Sequence, residues 1–542
     1  MRSTTPWRRW AILVAGLILF LMPACSPSTA PDSSRTPPPG GCRDNECPIG
    51  EECDGAGCVS VRPTHYPHIQ LASALLRPYI DAAEIQWRAE HFDLLIGYAA
   101  VYADQLRSAN PDARLFEYTE FRYHLYEGET EEWAPLHGFS AEDFFLHYRE
   151  DVNVPGYEST VLVPGFPLGV VPGWNPGRGP DDPPASATER AQSRVFGIPE
   201  TGHVPWRLAD ITDPGYRQFH IERMGPMLDG SLYGATNVTG PVDGVMIDHA
   251  IYYPQFNEGL LDKTEEFYGA PLDASHPYPL GFMSYYADVR EGLEETIPRP
   301  VDILANLGHV GVLGLELPLV QGTLEVVDWV WGEVWIMNRG GSFPTSGSTR
   351  VVTFEKDYEM AVADVVRESR SGRRCVLGTR DLSPEPTGSD RGKLYTLALY
   401  YLIHNPNTFY MYESYNGHLY GPHLSQWQWN PAVQYDIGTP APVPAGYADF
   451  EGSVATTEHY EFATGPDPYD PSLTYHVFAR KFTKGMILVK MLPIESVIDD
   501  RSSTTHSLDR PYRVLRPDGT PDTEIITEVS IRNNEGIILV LP

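Results

Sequence analysis

Acids, amides and aromatic residues recur at the ends of short apolar runs in this chain. The run Asp243-Gly-Val-Met-Ile-Asp248 ends on a carboxylate. Side chains of a strand alternate between faces, so Gly244, Met246 and Asp248 share one face while Val245 and Ile247 share the other. With the two β-branched residues packed on helices, Asp248 would project from the end of the strand. In Asp328-Trp-Val-Trp-Gly-Glu333-Val-Trp335, the same alternation groups Trp329, Trp331, Glu333 and Trp335. Glu117 and Glu120 lie in Arg114–Phe121, Asn306 closes Val301–Asn306, and Tyr412, Glu413 and Tyr415 end Thr408–Tyr415. Two carboxyl groups across a cleft can break a glycosidic bond: one protonates the leaving oxygen, the other attacks the anomeric carbon or activates water. Aromatic rings beside them offer flat apolar faces to sugar rings. The expected catalytic pair is Asp248 and Glu333, with Glu333 between two tryptophans as the proton donor. Glu117, Glu120, Asn306, Trp331, Trp335, Tyr412 and Glu413 are the expected substrate contacts. Each has a plainer alternative: a loop cap for Asp248, a rim ion pair for Glu333, a strand-tying amide for Asn306, core packing for the tryptophans.

Other chemistries find less support. The chain has no nucleophile elbow, phosphate loop or zinc-protease motif. His203, His249 and His309 are scattered without metal-ligand spacing, so neither metal nor cofactor is expected. The formal net charge of −32, from 72 acidic against 40 basic residues, argues against nucleic acid, whose phosphates demand a basic face. It also disfavours an anionic polysaccharide.

Positioning strand-end residues requires a sheet. Eight apolar runs follow in order: Phe92–Tyr98, Arg114–Phe121, Phe144–Tyr148, Val242–Asp248, Val301–Asn306, Val327–Trp335, Arg374–Gly378 and Thr408–Tyr415. Runs apolar throughout suit parallel strands buried on both faces. Helical patterns lie between most of them, at 99–110, 257–267, 282–296, 355–371 and 391–404. A further helix starts at Asp213-Pro214, where Asp213 can cap and Pro214 suits the first helical position. Eight alternating strands and helices predict a (β/α)8 TIM barrel, whose active sites form at the carboxyl ends of the strands. Residues 151–206, rich in Pro and Gly, read as an extended loop over the barrel mouth. Cys375, in an apolar run, reads as a buried strand residue.

After residue 445 the pattern changes to short strands with turns such as Pro517-Asp518-Gly519 between them: Tyr475–Phe482, Met486–Met491, Tyr512–Leu515, Glu524–Ile531 and Ile537–Leu541. This predicts a barrel over 63–445 and a small antiparallel β-sandwich domain over 446–542.

The amino-terminal segment speaks to location. Arg2, Arg8 and Arg9 precede an apolar run from Trp10 to Leu21 that is too short for a permanent membrane span, which reads as a signal peptide over 1–24. Met22-Pro-Ala-Cys25 resembles a bacterial lipobox, in which Cys25 would be lipidated and anchor an exported protein at the outer membrane or cell surface; the alternative is ordinary cleavage and release to the periplasm or medium. Residues 26–41 have the composition of a disordered tether. In an oxidising compartment Cys42, Cys47, Cys53 and Cys58 imply two disulfides with three possible pairings, a zinc site being the competing reading.

Trp206-Arg-Leu-Ala-Asp-Ile-Thr-Asp-Pro-Gly-Tyr-Arg, followed by the strand ending at Asp248, resembles hypothetical glycosyl hydrolase family 15. Ile303-Leu-Ala-Asn306 and Val327-Asp-Trp-Val-Trp-Gly-Glu333 are similar to that family's fifth and sixth strands, and Phe478-Ala-Arg-Lys-Phe-Thr-Lys-Gly-Met-Ile-Leu-Val to a hairpin of its terminal β-domain. The chain departs from the family's pattern at Asp213, where asparagine is usual, and in the length of the 151–206 loop. The resemblance implies a barrel glycoside hydrolase over roughly residues 90–542. An acid on strand four and another on strand six is also similar to α-galactosidase-type barrels, which would make Asp248 the nucleophile and Glu333 the acid/base. The expected function is an exported glycoside hydrolase acting on a poly- or oligosaccharide. The alternatives are a carbohydrate-binding surface lipoprotein without a working acid/base pair, and a structural surface lipoprotein that displays its Cys-rich module.

Overall fold

The computed structural model describes residues 51–53, 58–60, 69–76, 81–120, 127–148, 157–158, 170–171, 186–192, 194, 207–233, 242–248, 277–307, 318–339, 350–352, 365, 369, 372–381, 390–414, 429–447, 459–491, 502–533 and 535–542. Two compact units emerge. One comprises residues 120–225 and 249–296 with the amino terminus; the other comprises residues 42–119, 226–248 and 297–542.

The second unit carries the parallel sheet. Its strands are β1 (Ala72–Leu76), β2 (Leu94–Gly97), β3 (Arg114–Glu120, the last residue falling in the first unit), β4 (Gly244–Asp248), β5 (Asp302–Asn306), β6 (Trp329–Arg339), β7 (Arg374–Asp381) and β8 (Thr408–Ser414). They lie side by side in chain order. Leu71 bridges Tyr410 in parallel, with the Tyr410 N–H 2.8 Å from the Gln70 carbonyl, so β1 returns to β8 and the sheet closes on itself. In this unit helices α1 (Ala82–His91) and α2 (Ala99–Ala109) follow β1 and β2. The barrel class expected from the sequence is therefore present, and Gly244↔Asp302 through Ile247↔Ala305 pair β4 with β5 as anticipated. One strand assignment is corrected. Residues Ala141–Phe144 form a 3-10 turn, and Phe145 and His147 make isolated antiparallel bridges to Ala209 and Arg194, so Phe144–Tyr148 is not a barrel strand. The eighth strand is β1, whose Ala-Ser-Ala-Leu-Leu is short and carries a buried Ser73 that hides the apolar pattern. Glu117 and Glu120 thus stand on the third strand.

Large rings fill the barrel interior at its amino end. Phe116 of β3 and Phe409 of β8 meet Trp329 of β6 at ring-centroid distances of 5.1 and 5.0 Å. The Trp329 indole N–H donates to Asp302 Oδ2 at 2.9 Å, and the Arg374 guanidinium lies 4.7 Å over the same ring. Rings in such contact add about 0.5–1.5 kcal/mol per pair beyond burial. Gly244 is required here: a Cβ would meet the Asp302 carbonyl and lie 2.6 Å from the Phe116 ring. This fixes the Gly244–Met246–Asp248 face of β4 as the one turned toward the barrel interior.

Helices α3 (Glu127–Leu136), α4 (Ala187–Gln192), α5 (Pro214–Leu228) and α6 (Pro277–Thr296) lie between β3 and β5 in sequence, and most of their residues belong to the first unit. The start of α5 is as the sequence indicates: Asp213 Oδ1 accepts from the N–H groups of Gly215 and Tyr216 at 2.8 and 3.0 Å, with Pro214 at the first position. Arg217 ties α5 to α6 through Asp288 at 2.8 Å. Within 151–206 the described parts are a two-residue strand pair, Tyr157–Glu158 with Val170–Val171, the helix α4, and Arg194. The expected helix at 257–267 lies outside the described residues, as does most of that at 355–371.

Between β5 and β8 the second unit continues with α7 (Pro318–Val326) before β6 and α8 (Asp390–Ile403) before β8. Cys375 on β7 is buried, as expected. Helix α8 is buried on every side from Tyr395 to Ile403. A helix apolar all round needs cover on both faces, and the second cover is a six-stranded antiparallel sheet. It consists of β9 (His459–Pro466), β10 (Thr474–Phe482), β11 (Gly485–Met491), β12 (Thr504–Val514), β13 (Ile526–Ile531) and β14 (Glu535–Val540), in the order β9-β10-β11-β14-β12-β13. Gly536 of β14 sits against α8, where a Cβ would stand 2.6 Å from Ala398 Cβ and 2.9 Å from Tyr395 Cα. Tyr460, Val477, Leu488, Tyr512, Ile531 and Leu539 are part of the core of this sheet.

At the amino end, Glu51–Cys53 pairs with Cys58–Ser60 in a hairpin that sets Cys53 opposite Cys58. Cys25, Cys42, Cys47 and the tether lie outside the described residues, as do the side chains of Cys53 and Cys58.

Candidate active site

The site is built from the last residues of adjacent strands. Asp248 ends β4 and is 1% exposed. Its neighbours on both sides donate to it. From β3, the Tyr118 hydroxyl reaches Oδ2 at 2.8 Å; from β5, the Asn306 amide reaches Oδ1 at 2.6 Å. A carboxylate has acceptor sites on both oxygens, and a donor on each fixes the plane of the group. Asn306 is likewise 1% exposed, so the pair is shielded from water and its hydrogen bonds are stronger than they would be in solvent. The sequence identified Asp248 and Asn306 and missed Tyr118. The signal was available: Phe116 faces the barrel interior, and a period of two from it puts Tyr118 on the same face.

Strand β6 supplies the next position. Trp331 is the register partner of Asn306, so it stands at the same level one strand further along. It shares a face with Trp329, two residues earlier, and is 2% exposed. Beyond Gly332 the register slips: Gly332 pairs with Leu377 and Ile336 with Thr379, so Glu333-Val334-Trp335 faces Gly378 alone. Such bulges interrupt a ladder and concentrate beside functional sites. The backbone thus leaves the regular ladder across Glu333–Trp335. The backbone of Glu333 and Trp335 belongs to β6, and their side chains lie outside the described residues.

The other candidates separate. Glu117 is fully buried and accepts the Ala100 N–H at 2.7 Å, supplying the cap that α2 lacks from its own first residues. Its face is the opposite of Tyr118's. Glu120 is buried at the end of β3. On β8, the Tyr410 hydroxyl meets Thr396 of α8 at 2.9 Å, so Tyr410 and, by alternation, Tyr412 face the helices. Glu413 shares its face with Phe409, inside the barrel, and is 1% exposed at the strand end. Tyr415 lies outside the described residues. Described strand ends therefore bring Asp248, Asn306, Tyr118 and Trp331 to one level, and turn Glu117 to the start of α2.

No family model matches the chain, and no curated protein matches it. Among solved structures it is similar to an α-L-fucosidase, isoenzyme 2, from Paenibacillus thiaminolyticus (10% identity, TM-score 0.35, covering 67% of this chain and 48% of that one). It is also similar to a cycloisomaltooligosaccharide glucanotransferase from a Paenibacillus species (10%, 0.35, 90% and 58%) and to a GH31 α-xylosidase from a soil metagenome (10%, 0.35, 88% and 63%). The chain spans less than two thirds of the length of each of the three. At this level the likeness carries no weight on substrate or reaction.

Proposed function

We propose that this chain is an exported glycoside hydrolase that cleaves O-glycosidic bonds of a poly- or oligosaccharide. The observation that carries the reading is the carboxylate of Asp248, buried at the carboxyl end of the fourth barrel strand and gripped by donors from both flanking strands. Barrel enzymes assemble their sites at these strand ends, and a nucleophile must be held in a fixed orientation to attack. Asp248 would attack the anomeric carbon, or position the attacking water, and Glu333 would protonate the leaving oxygen. Tyr118 and Asn306 are the positioning residues. The short motifs that resemble hypothetical glycosyl hydrolase family 15 support the same reading, and the net charge of −32 favours an uncharged sugar over an anionic one.

The test is release of reducing ends from a panel of plant and bacterial polysaccharides. Asp248→Asn and Glu333→Gln keep shape and delete only the ionisable group, so each should lower turnover by about 10²-fold or more. Near-normal turnover in either variant would remove that residue from the mechanism and make Glu413 the next acid to examine. No release by the wild type from any member would favour a binding lipoprotein.

Location is part of the proposal. Cys25 would carry a lipid that holds the exported protein on a membrane. Cys25→Ser should then move it from the membrane fraction to the soluble exported fraction; unchanged partitioning would refute the anchor.

A further inference from the structure

Two tryptophans on one face of β6 are treated differently by the fold. The indole N–H of Trp329 is satisfied by Asp302 at 2.9 Å, deep among Phe116 and Phe409. Trp331, one layer nearer the strand ends, is almost equally buried, yet its Nε1 has no hydrogen-bond partner among the described residues. Leaving a buried donor unmade costs about 1–3 kcal/mol, and such groups in native proteins call for a reason. A simple packing residue at this position would be better served by phenylalanine. The location supplies the reason. Trp331 is the register partner of Asn306, whose amide is bonded to Asp248, so the unmade donor and the held carboxylate occupy one level on three neighbouring strands. The register slip that begins after Gly332 opens the ladder immediately above it.

Resting on the glycosidase reading above, we infer that the Trp331 indole N–H holds a hydroxyl of the sugar ring bound at Asp248, and so decides which sugar is accepted. A neutral donor of this kind suits a hydroxyl oxygen, which can receive it while donating its own proton to a carboxylate such as Asp248. It gives no advantage to an apolar group at that ring position. A site built to bond a hydroxyl rejects the analogue that lacks it, because the buried partner is left unpaired.

The test uses the purified chain with ¹⁵N-labelled tryptophan. Of the 11 tryptophans, Trp331 is assigned by the indole cross-peak missing from Trp331→Phe. The probes are methyl α- and β-glycosides of glucose, galactose, mannose, xylose and fucose, with the matching 4-nitrophenyl glycosides for cleavage. The expected result is that a glycoside whose aryl form is cleaved also moves the Trp331 cross-peak. Trp331→Phe should lower kcat/KM for that sugar by about 3- to 10-fold and lose the wild type's discrimination against one of its deoxy analogues. Cleavage by the wild type with an unmoved cross-peak, or with unchanged kcat/KM in Trp331→Phe, overturns the inference and leaves the glycosidase reading intact. If no probe binds or is cleaved, both fall. Should Trp331→Phe not fold, deoxy analogues on the wild type decide: if removal of each ring hydroxyl in turn costs nothing, the inference is wrong.

Discussion

Asp248 owes its place to neighbours that do not adjoin it in sequence. Tyr118 is 130 residues away and Asn306 58 residues away, and the barrel brings both to the ends of the flanking strands. The Tyr118 bond is the simpler to probe, since phenylalanine keeps the ring and removes only the donor. A hydrogen bond to a charged group contributes about 1.5–3 kcal/mol. Tyr118→Phe should therefore lower kcat by about 10- to 100-fold on any cleaved substrate, with KM little changed, as befits a residue that acts through Asp248. A rise in KM at constant kcat would instead make Tyr118 a substrate contact.

Among the elements, α8 is the one on which two sheets depend. Its carboxyl end leaves carbonyls that no helical N–H can meet. Arg480 of β10 reaches them: its guanidinium donates to the carbonyls of Tyr401 and His404 at 3.0 and 2.7 Å, and to Leu402 at 3.3 Å. A cation at the negative end of a helix dipole is favourable in its own right. Arg480→Met would keep much of the buried stem and orphan the carbonyls. Loss of about 2–4 kcal/mol is expected, measured as a lower urea midpoint. An unchanged midpoint would mean that β10 and α8 are held by apolar packing alone.

At the scale of the whole molecule, the pH dependence of stability should bear the mark of a buried lysine. Lys490 is on β11 in the same alternating row as the core residues Met486 and Leu488. It is fully buried, donates to the Ser502 carbonyl and lies 4.4 Å from the Tyr475 ring centroid. Burial pushes its ammonium down from 10.5 to about 8, with Asp467 and Glu535 acting in the opposite sense and His506 also within electrostatic reach. The folded protein therefore releases this proton before the unfolded chain does. The unfolded state binds more protons between about pH 8 and 10.5, so stability from this group rises with pH across that window and is least below it. Urea unfolding of wild type and Lys490→Met at several pH values should show the difference between them changing through that interval. A constant difference would mean the ammonium titrates as it does in water.

The sequence by itself determined what depends on local pattern. Continuous apolar runs marked seven of the eight barrel strands, and the change to closely spaced strands marked the terminal sheet, because a strand buried on both faces must be apolar throughout. Asp213-Pro214 announced a helix start because a cap acts within three residues. Period-two alternation placed Asp248 on the inward face, and the end of its apolar run placed it at the end of a strand. Tertiary structure decided the rest. Ala72–Leu76 became the first strand because β2 and β8 flank it, a condition its own five residues do not express. Glu117 went to the N–H of Ala100, and Tyr118, unremarked in the sequence, went to Asp248, since the inward face of β3 is set by the packing of Phe116 on Trp329. The register slip at Glu333 is equally invisible in sequence, for it exists only as a mismatch with β7. Whether a polar side chain is met or left unmade, as the contrast between Trp329 and Trp331 shows, depends on which distant strand lies opposite, and only the closed sheet fixes that.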